Sequence, residues 1–156
     1  MQILVFSDSH SFIAPMEAAV RTLQPDLILH LGDHDRDAML LAKRFPHIPL
    51  RLVRGNCDFG STNQLLTDFT CMGRRIVMTH GHRYDVKSDH TALYNMGQLV
   101  GADILLFGHT HIPHYEQVSA MHVLNPGSAK DSAALIQLQG EDILCKHLPL
   151  SVYAGL

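Results

Sequence analysis

Two histidines, His109 and His111, follow a short apolar run and a glycine in the last third of the chain. The run at residues 104–107 has the length of a buried strand, and Gly108 lets the backbone leave a sheet there. Imidazole is a common metal ligand, and ligands in open α/β sheets gather at the carboxyl ends of the strands. The segment is therefore interpreted as a strand that delivers two metal ligands, and incidental loop histidines are the alternative.

Four earlier apolar runs also end in polar side chains that could bind a metal ion. The resulting set contains carboxylate, amide and imidazole donors and no thiolate: Asp8, His10, Asp33, Asn56, His80, His109 and His111. Taken singly, each residue could be a turn, a cap or a satisfied core residue. Seven donors are too many for one ordinary transition-metal ion. Two ions that share one carboxylate and a bridging water would use them all, and that arrangement suits in-line displacement at phosphorus.

Alternating strand and helix patterns position these side chains. Strands are predicted at residues 3–6, 26–31, 50–53, 65–71, 75–79, 104–107, 114–118, 122–124, 133–138 and 143–148, and helices at 15–23, 35–45 and 88–100. Pro15 is expected at the first position of the first helix, and Ser88 is expected to cap the third, with Leu99 among its core residues. Met72-Gly73 predicts a hairpin turn. The last four strands are expected to form a second sheet that packs on the first.

Composition limits the classes of function. A chain of 156 residues with 46% hydrophobic residues is expected to be one domain with a sizeable core. A net charge of −3 without long basic runs argues against an extended nucleic-acid surface. The three cysteines, Cys57, Cys71 and Cys145, are odd in number and far apart, which argues against a disulfide framework or a zinc-thiolate site. With no signal peptide and no apolar run long enough to span a membrane, a cytoplasmic protein is expected.

Five motifs in a fixed order resemble those of a known family. They are Asp8-Ser-His10, Gly32-Asp33, Gly55-Asn56-Cys57-Asp58, Thr79-His80-Gly81-His82 and Gly108-His109-Thr110-His111, followed by the loop Asn125-Pro-Gly-Ser128. The series resembles the calcineurin-like metallophosphoesterases, and within them the small, lid-free bacterial and archaeal phosphodiesterases. This resemblance implies an α/β fold, a four-layer αββα sandwich of two mixed β-sheets flanked by helices, formed by residues 1–156 as a single domain.

The resemblance also implies how the ligands are divided. Asp8, His10 and His111 would bind one ion, Asn56, His80 and His109 the other, and Asp33 would bridge them. Imidazoles and carboxylates suit Mn, Fe, Co, Ni or Zn better than Mg or Ca, and Mn is favoured here. The implied nucleophile is a hydroxide that bridges the two ions and attacks phosphorus, and no side chain is assigned as the catalytic acid.

Three residues beside the ligands keep two interpretations each. Cys57 stands where the family's general pattern has a histidine, a proposed proton donor to the leaving group, and it could also be a buried structural thiol, the more usual role of an isolated cysteine. Asp58 could orient a neighbouring imidazole or cap a turn. His82 could contact phosphate or transfer a proton, or it could be a solvated loop histidine.

The leading hypothesis is a metal-dependent phosphodiesterase that acts on a small phosphodiester or nucleotide-like substrate. A phosphomonoesterase or a nucleotide pyrophosphohydrolase would use the same core. A largely non-catalytic interaction scaffold is the other alternative, because a eukaryotic retromer subunit resembles this branch, but here no ligand position is substituted. Specificity is expected in the loops at residues 59–63 and 83–89. The sequence leaves open the natural substrate, the native metal and whether the chain forms a homo-oligomer.

Overall fold

The computed structural model describes residues 1–155, which form two five-stranded sheets and three α-helices. The strands are β1 (Gln2–Phe6), β2 (Leu27–His30), β3 (Leu50–Leu52), β4 (Leu66–Cys71), β5 (Arg74–Thr79), β6 (Ile104–Leu106), β7 (His114–Val118), β8 (Met121–Asn125), β9 (Ser132–Gln139) and β10 (Asp142–Pro149). The helices are α1 (Ile13–Leu23), α2 (Asp35–Arg44) and α3 (Thr91–Leu99). Within the described range, no helix is both long and apolar enough to cross a bilayer.

Both sheets are mixed, and each has a block of parallel strands. The first sheet has the order β10-β9-β1-β2-β3, in which β1, β2 and β3 run parallel. The second has the order β4-β5-β6-β8-β7, in which β5, β6 and β8 run parallel. Phe6 aligns with His30 in one block, and Met78 aligns with Leu106 in the other. Because parallel strands end at the same edge of a sheet, the loops after them are brought together.

Three apolar layers hold the sandwich together. The largest layer lies between the sheets, where residues such as Val5 and Leu29 meet Met78 and Leu106. A second layer packs α1 and α2 on the outer face of the first sheet, and a third packs α3 on the outer face of the second. Successive side chains of a strand point to opposite faces of its sheet, so each strand contributes residues to two of these layers. The predicted αββα sandwich of two mixed sheets is confirmed.

The last four strands do not form a sheet of their own, so that prediction was wrong. Strands β7 and β8 complete the second sheet, whereas β9 pairs antiparallel with β1 and carries β10 into the first sheet. The β9 residues Ala134 and Ile136 are thereby buried between the sheets. Closely spaced hairpins show which strands pair with each other, but they do not show which sheet edge each hairpin joins.

The third helix begins later than predicted. Ser88 is not its cap: its hydroxyl donates to Asp85 Oδ1 at 3.1 Å, and the helix starts at Thr91, whose backbone N–H donates to Asp89 Oδ1 at 2.8 Å. Leu99 was expected in the core but is 88% exposed. The first helix begins at Ile13, so Pro15 is its third residue.

Candidate metal centre

Asp8 lies in the loop after β1, and hydrogen bonds fix one of its carboxylate oxygens. The Ser7 hydroxyl donates to Asp8 Oδ2 at 2.6 Å, and the His109 backbone N–H donates to the same oxygen at 3.0 Å. The other oxygen, Oδ1, is buried, accepts no hydrogen bond from the described residues and lies 3.1 Å from His111 Nε2. A buried carboxylate oxygen without a donor is costly, and a bound cation would offset that cost, so Asp8 fits the role of a metal ligand.

Asp33 lies in the loop after β2, and its carboxylate reaches both halves of the cluster. Its Oδ1 accepts a hydrogen bond from the Cys57 backbone N–H at 2.9 Å, while Oδ2 lies 3.8 Å from His10 Nε2 and 3.4 Å from His80 Nε2. Burial alone would raise the pKa of Asp33, but a hydrogen bond with His80 and the charge of His80 lower this pKa well below its usual range. The carboxylate is therefore ionised and placed between two groups of imidazoles.

His80 follows β5, and its tautomer is set by a carbonyl of the opposite sheet. Its Nδ1–H donates to the Leu31 carbonyl oxygen at 2.7 Å, so a neutral ring keeps a lone pair on Nε2. That nitrogen faces Asn56 Oδ1 at 3.1 Å, His109 Nδ1 at 3.2 Å and the Asp33 carboxylate. Burial lowers the pKa of His80, but Asp33 and Asp8 outweigh this effect and raise it. Either a proton on Nε2 or a bound metal ion would satisfy this ring of acceptors.

His109 and His111 lie in the loop after β6, which passes very close to the β1 loop. A Cβ on Gly108 would overlap the Ser7 hydroxyl and lie 2.8 Å from Asp8 Oδ2, so only glycine allows this approach. Burial and the neighbouring His80 lower the pKa of His109 to about 4, which keeps its ring neutral and able to bind a metal ion.

The structure brings all seven predicted ligands to one place. Their carboxylate and imidazole members form two groups whose donor atoms lie within 4.8 Å of one another, Asp8 with His10 and His111, and Asp33 with His80 and His109. Asn56 joins the second group through its contact with His80. Five of the seven have positive φ angles between 43° and 71°. Such backbone is costly for residues other than glycine and is typical of functional sites.

A buried polar network fixes the β1 loop from behind. His30, at the end of β2, accepts the Gly32 backbone N–H at its Nδ1 (3.2 Å), so its Nε2–H donates to the Ser9 hydroxyl at 3.0 Å. Ser9 in turn donates to Asp37 Oδ2 at 2.7 Å, and Asp37 also accepts the Ser11 backbone N–H at 2.8 Å. The network holds the segment between Asp8 and His10, although none of its side chains belongs to the ligand groups.

This network predicts a loss of stability in mild acid. Complete burial lowers the pKa of His30 from 6.5 to about 4, so its contribution is fully present above pH 6.5 and is lost as the pH falls toward 4. We expect urea unfolding of the metal-free protein to show that the stability advantage of wild type over His30→Gln shrinks by about 2 kcal/mol between pH 7 and pH 5. Parallel pH profiles for the two proteins would contradict this assignment.

Asp58 and Cys57 occupy different surroundings although they are neighbours. The buried Asp58 carboxylate accepts four backbone N–H groups, from Gly55 (2.7 Å), Asp33 (3.0 Å), His34 (2.7 Å) and Asp35 (3.0 Å). Asp58 thus caps the loop that carries Asp33, as the turn-capping interpretation predicts. None of these four hydrogen bonds involves an imidazole. The Cys57 side chain is exposed, and partial burial together with the charge of Asp33 raises its pKa.

His82 begins a short 3-10 helix, His82–Tyr84, beside the second ligand group. Its ring centroid lies 5.5 Å from that of His80 and 6.1 Å from that of His109.

Two cavities flank the centre. One of about 380 Å³ contains His82, Arg54 and Arg83, and one of about 670 Å³ lies between residues 86–90 and the loop after β6. Residues of both predicted specificity loops therefore line these cavities.

Several residues that build the site carried no clear signal in the sequence. Ser9, His30 and Asp37 act only through the buried network, and an acidic residue in a first helical turn such as Asp37 is ordinarily assigned to the helix dipole. Arg54 directly precedes the Gly55-Asn56 motif, and this adjacency was the one available indication of its position at the centre.

Comparison with protein families supports the resemblance seen in the motifs. Residues 1–139 match the family model described as calcineurin-like phosphoesterase superfamily domain. A protein of Bacillus subtilis named probable metallophosphoesterase YsnB is 30% identical over 151 residues, covering 90% of this chain and 86% of that protein. The Escherichia coli phosphodiesterase YfcE is 34% identical over 85 residues, covering 49% of this chain and 42% of that protein.

Solved structures agree with the fold. A crystal structure from Streptococcus pneumoniae, titled a predicted phosphoesterase, superposes with a TM-score of 0.82 at 27% identity and covers 99% of this chain and 94% of that one. The wild-type Vps29 of Entamoeba histolytica, complexed with Zn²⁺, gives a TM-score of 0.75 at 19% identity and covers 96% and 99% of the two chains. The second likeness concerns the fold alone.

Proposed function

This chain belongs to the calcineurin-like phosphoesterase superfamily, and from that premise we propose that it is a phosphodiesterase that uses two divalent metal ions. Asp8, His10 and His111 would hold one ion, Asn56, His80 and His109 would hold the other, and Asp33 would be shared between them. The observation that carries the proposal is the convergence of Asn56 Oδ1, His109 Nδ1 and the Asp33 carboxylate on His80 Nε2, a place that a metal ion would fill. Asp8 Oδ1 and His10 Nε2, both buried without a partner in residues 1–155, support the first site.

Two such ions, when bound, would supply a hydroxide nucleophile at neutral pH and neutralise charge on the phosphoryl oxygens. The residues of the chain do the positioning. Ser7 and the His109 N–H orient Asp8, the Leu31 carbonyl fixes the His80 tautomer, and the Cys57 N–H holds Asp33. The neutral Asn56 amide limits the negative charge of the centre, which favours a substrate that is itself an anion.

Diesters are favoured over monoesters on charge grounds, since a monoester brings more negative charge beside Asp8 and Asp33. The name of the YfcE relative supports the same reaction class. A scaffold without catalysis is the weaker alternative, because no ligand position is substituted in this chain. The test is a panel of phosphodiesters, monoesters and dinucleotides, offered to metal-stripped protein reloaded with Mn, Fe, Co, Ni or Zn. We expect hydrolysis of bis(p-nitrophenyl) phosphate, highest with Mn, and absence of hydrolysis with every ion would overturn the proposal.

Cys57 is expected to contribute little to leaving-group protonation. A thiol with a reference pKa of about 8.5 releases its proton reluctantly at neutral pH. We expect Cys57→Ala to lower kcat/KM slightly and similarly for nitrophenyl and alkyl diesters, with nitrophenyl esters far better substrates throughout. Cys57→His should improve alkyl esters selectively if its ring reaches the leaving oxygen. A loss of about a hundredfold in Cys57→Ala, confined to alkyl esters, would instead identify the cysteine as the acid.

A further inference from the structure

A cleft of about 380 Å³ opens beside the second ligand group and contains three nitrogen-bearing side chains that the metal centre does not use. They are Arg54, His82 and Arg83, and with the aromatic ring at its edge, Phe59, they define what we call the Arg54–Arg83 cleft. Asn56 also lines it, so the cleft and the proposed metal centre share a wall. A group held in this cleft would be an immediate neighbour of the phosphorus atom under attack.

Two polar atoms of the cleft residues are buried without a partner. Neither Arg54 Nε nor His82 Nδ1 has a hydrogen-bond partner in the part of the chain that the structure describes. The Arg54 side chain is nevertheless held in place, because its Nη1 donates to the Ser61 carbonyl oxygen at 3.0 Å. Buried donors are normally paired, and an unpaired guanidinium N–H is costly. The unpaired Arg54 N–H adds to the positive potential that the cleft presents to an anion.

The charge of the cleft also favours an anion. Arg54 and Arg83 are permanent cations, and the one acidic residue among the lining side chains is Asp58. The Asp58 carboxylate is already surrounded by four backbone N–H groups, so little of its charge is available to either arginine. Guanidinium groups match the geometry of phosphoryl oxygens and bind them through paired hydrogen bonds. The neighbouring larger cavity has no such excess of positive charge, because the charge of Lys87 there is balanced by that of Asp89.

Phe59 adds a flat apolar surface at the edge of the cleft. Its side chain is 91% exposed, although an aromatic ring of this size is ordinarily packed against other residues. A Cβ added to the next residue, Gly60, would meet nothing within 4 Å, so the space around that position is open. Exposed aromatic rings beside cationic grooves serve as stacking surfaces for nucleic-acid bases.

We propose that the Arg54–Arg83 cleft binds a second phosphoryl group of the substrate and that Phe59 stacks on its base, so that the substrate is a nucleotide with at least two phosphoryl groups. This inference rests on the proposed phosphodiesterase function and narrows its substrate class. The scissile phosphorus lies at the metal centre, and the adjacent phosphoryl group lies against Arg54, His82 and Arg83.

The test compares ligands that differ by one phosphoryl group. Calorimetry at a fixed free Mn²⁺ concentration measures binding of adenosine 5′-(α,β-methylene)diphosphate and of AMP. Wild type is expected to prefer the diphosphate by about tenfold or more, as charge-assisted hydrogen bonds predict. Arg83→Ala should remove most of this preference, and Arg83→Lys should retain part of it. Phe59→Ala should weaken both ligands alike. Lys87→Ala, which removes a cation from the other cavity, is the matched control and should leave the preference unchanged.

A kinetic comparison separates this inference from the proposed function. Arg83→Ala should lower kcat/KM for diadenosine diphosphate about tenfold more than for bis(p-nitrophenyl) phosphate. Equal losses for both substrates, together with no diphosphate preference in calorimetry, would overturn the subsite while leaving the phosphodiesterase intact. If bis(p-nitrophenyl) phosphate is not hydrolysed at all, the proposed function fails, and the calorimetric preference and its loss in Arg83→Ala still decide the subsite. A preference of the same size in Arg83→Ala and wild type would also overturn it.

Discussion

Asp33→Ala is expected to abolish phosphodiester hydrolysis, with a loss on the order of a thousandfold or more, beyond the 10–100-fold typical of residues that merely orient a ligand. Asp33 Oδ2 is the oxygen that faces both His10 and His80, so removing it takes one ligand from each proposed ion. The chain should still fold, because Asp33 lies in a loop at a strand end and its carboxylate accepts one backbone N–H, from Cys57. Metal content should fall from two ions per chain to one or none.

Asp33→Asn separates charge from shape. The amide oxygen can still accept the Cys57 N–H, but the negative charge between the two imidazole groups is gone. We expect Asp33→Asn to lose activity almost as completely as Asp33→Ala while its circular dichroism spectrum matches wild type. Asp68→Asn is the control, because Asp68 is exposed and its ion pair with Arg75 is remote from the centre. Full metal content in Asp33→Ala would contradict the bridging role.

Asp58→Ala is expected to lower the free energy of unfolding by about 4 kcal/mol, because four backbone N–H groups lose a charged acceptor at once. The bonds join Gly55, directly before the proposed ligand Asn56, to the loop that carries Asp33. The variant should therefore also bind metal more weakly. Urea unfolding in the presence of a chelator measures the first effect without a contribution from metal binding.

Asp58→Asn should rescue little of this stability. An amide has one oxygen, so its NH₂ group would face two of the four backbone donors. Asp68→Ala provides the comparison, since an exposed ion pair contributes about 0.2–1 kcal/mol. A loss below about 1 kcal/mol in Asp58→Ala would show that water replaces the carboxylate and that Asp58 is not a structural cap.

The sequence predicted the structure correctly where a local pattern is compatible with only one kind of element. Apolar runs that end in glycine and polar residues predicted the strand ends after β1, β2, β3, β5 and β6, and the structure brings the residues there together. Parallel pairing explains this success, because it brings the carboxyl ends of neighbouring strands to the same edge of a sheet. The ordered motifs also identified the family correctly. The roles of the seven ligands remain a proposal.

The predictions that failed depend on choices that local patterns do not record. Whether β9 joins β1 or β8 is decided by which edge buries Ala134 and Ile136, a long-range property. Ser88 and Asp89 are both reasonable residues near a helix start, and the competing bond from Ser88 to Asp85 decided between them. The position of Arg54 beside the Gly55-Asn56 motif was its only indication in the sequence, and an arginine beside a turn is usually a solvated residue.

The most direct test of the two-metal phosphodiesterase is a titration of metal-stripped protein with Mn²⁺, followed by the rate of bis(p-nitrophenyl) phosphate hydrolysis. The protein concentration is kept far above the dissociation constants, so that added metal is bound. We predict that the rate reaches its plateau at two equivalents per wild-type chain and that Asp33→Ala stays inactive at any ratio. A plateau at one equivalent, or full activity in Asp33→Ala, would contradict the bridged pair of ions.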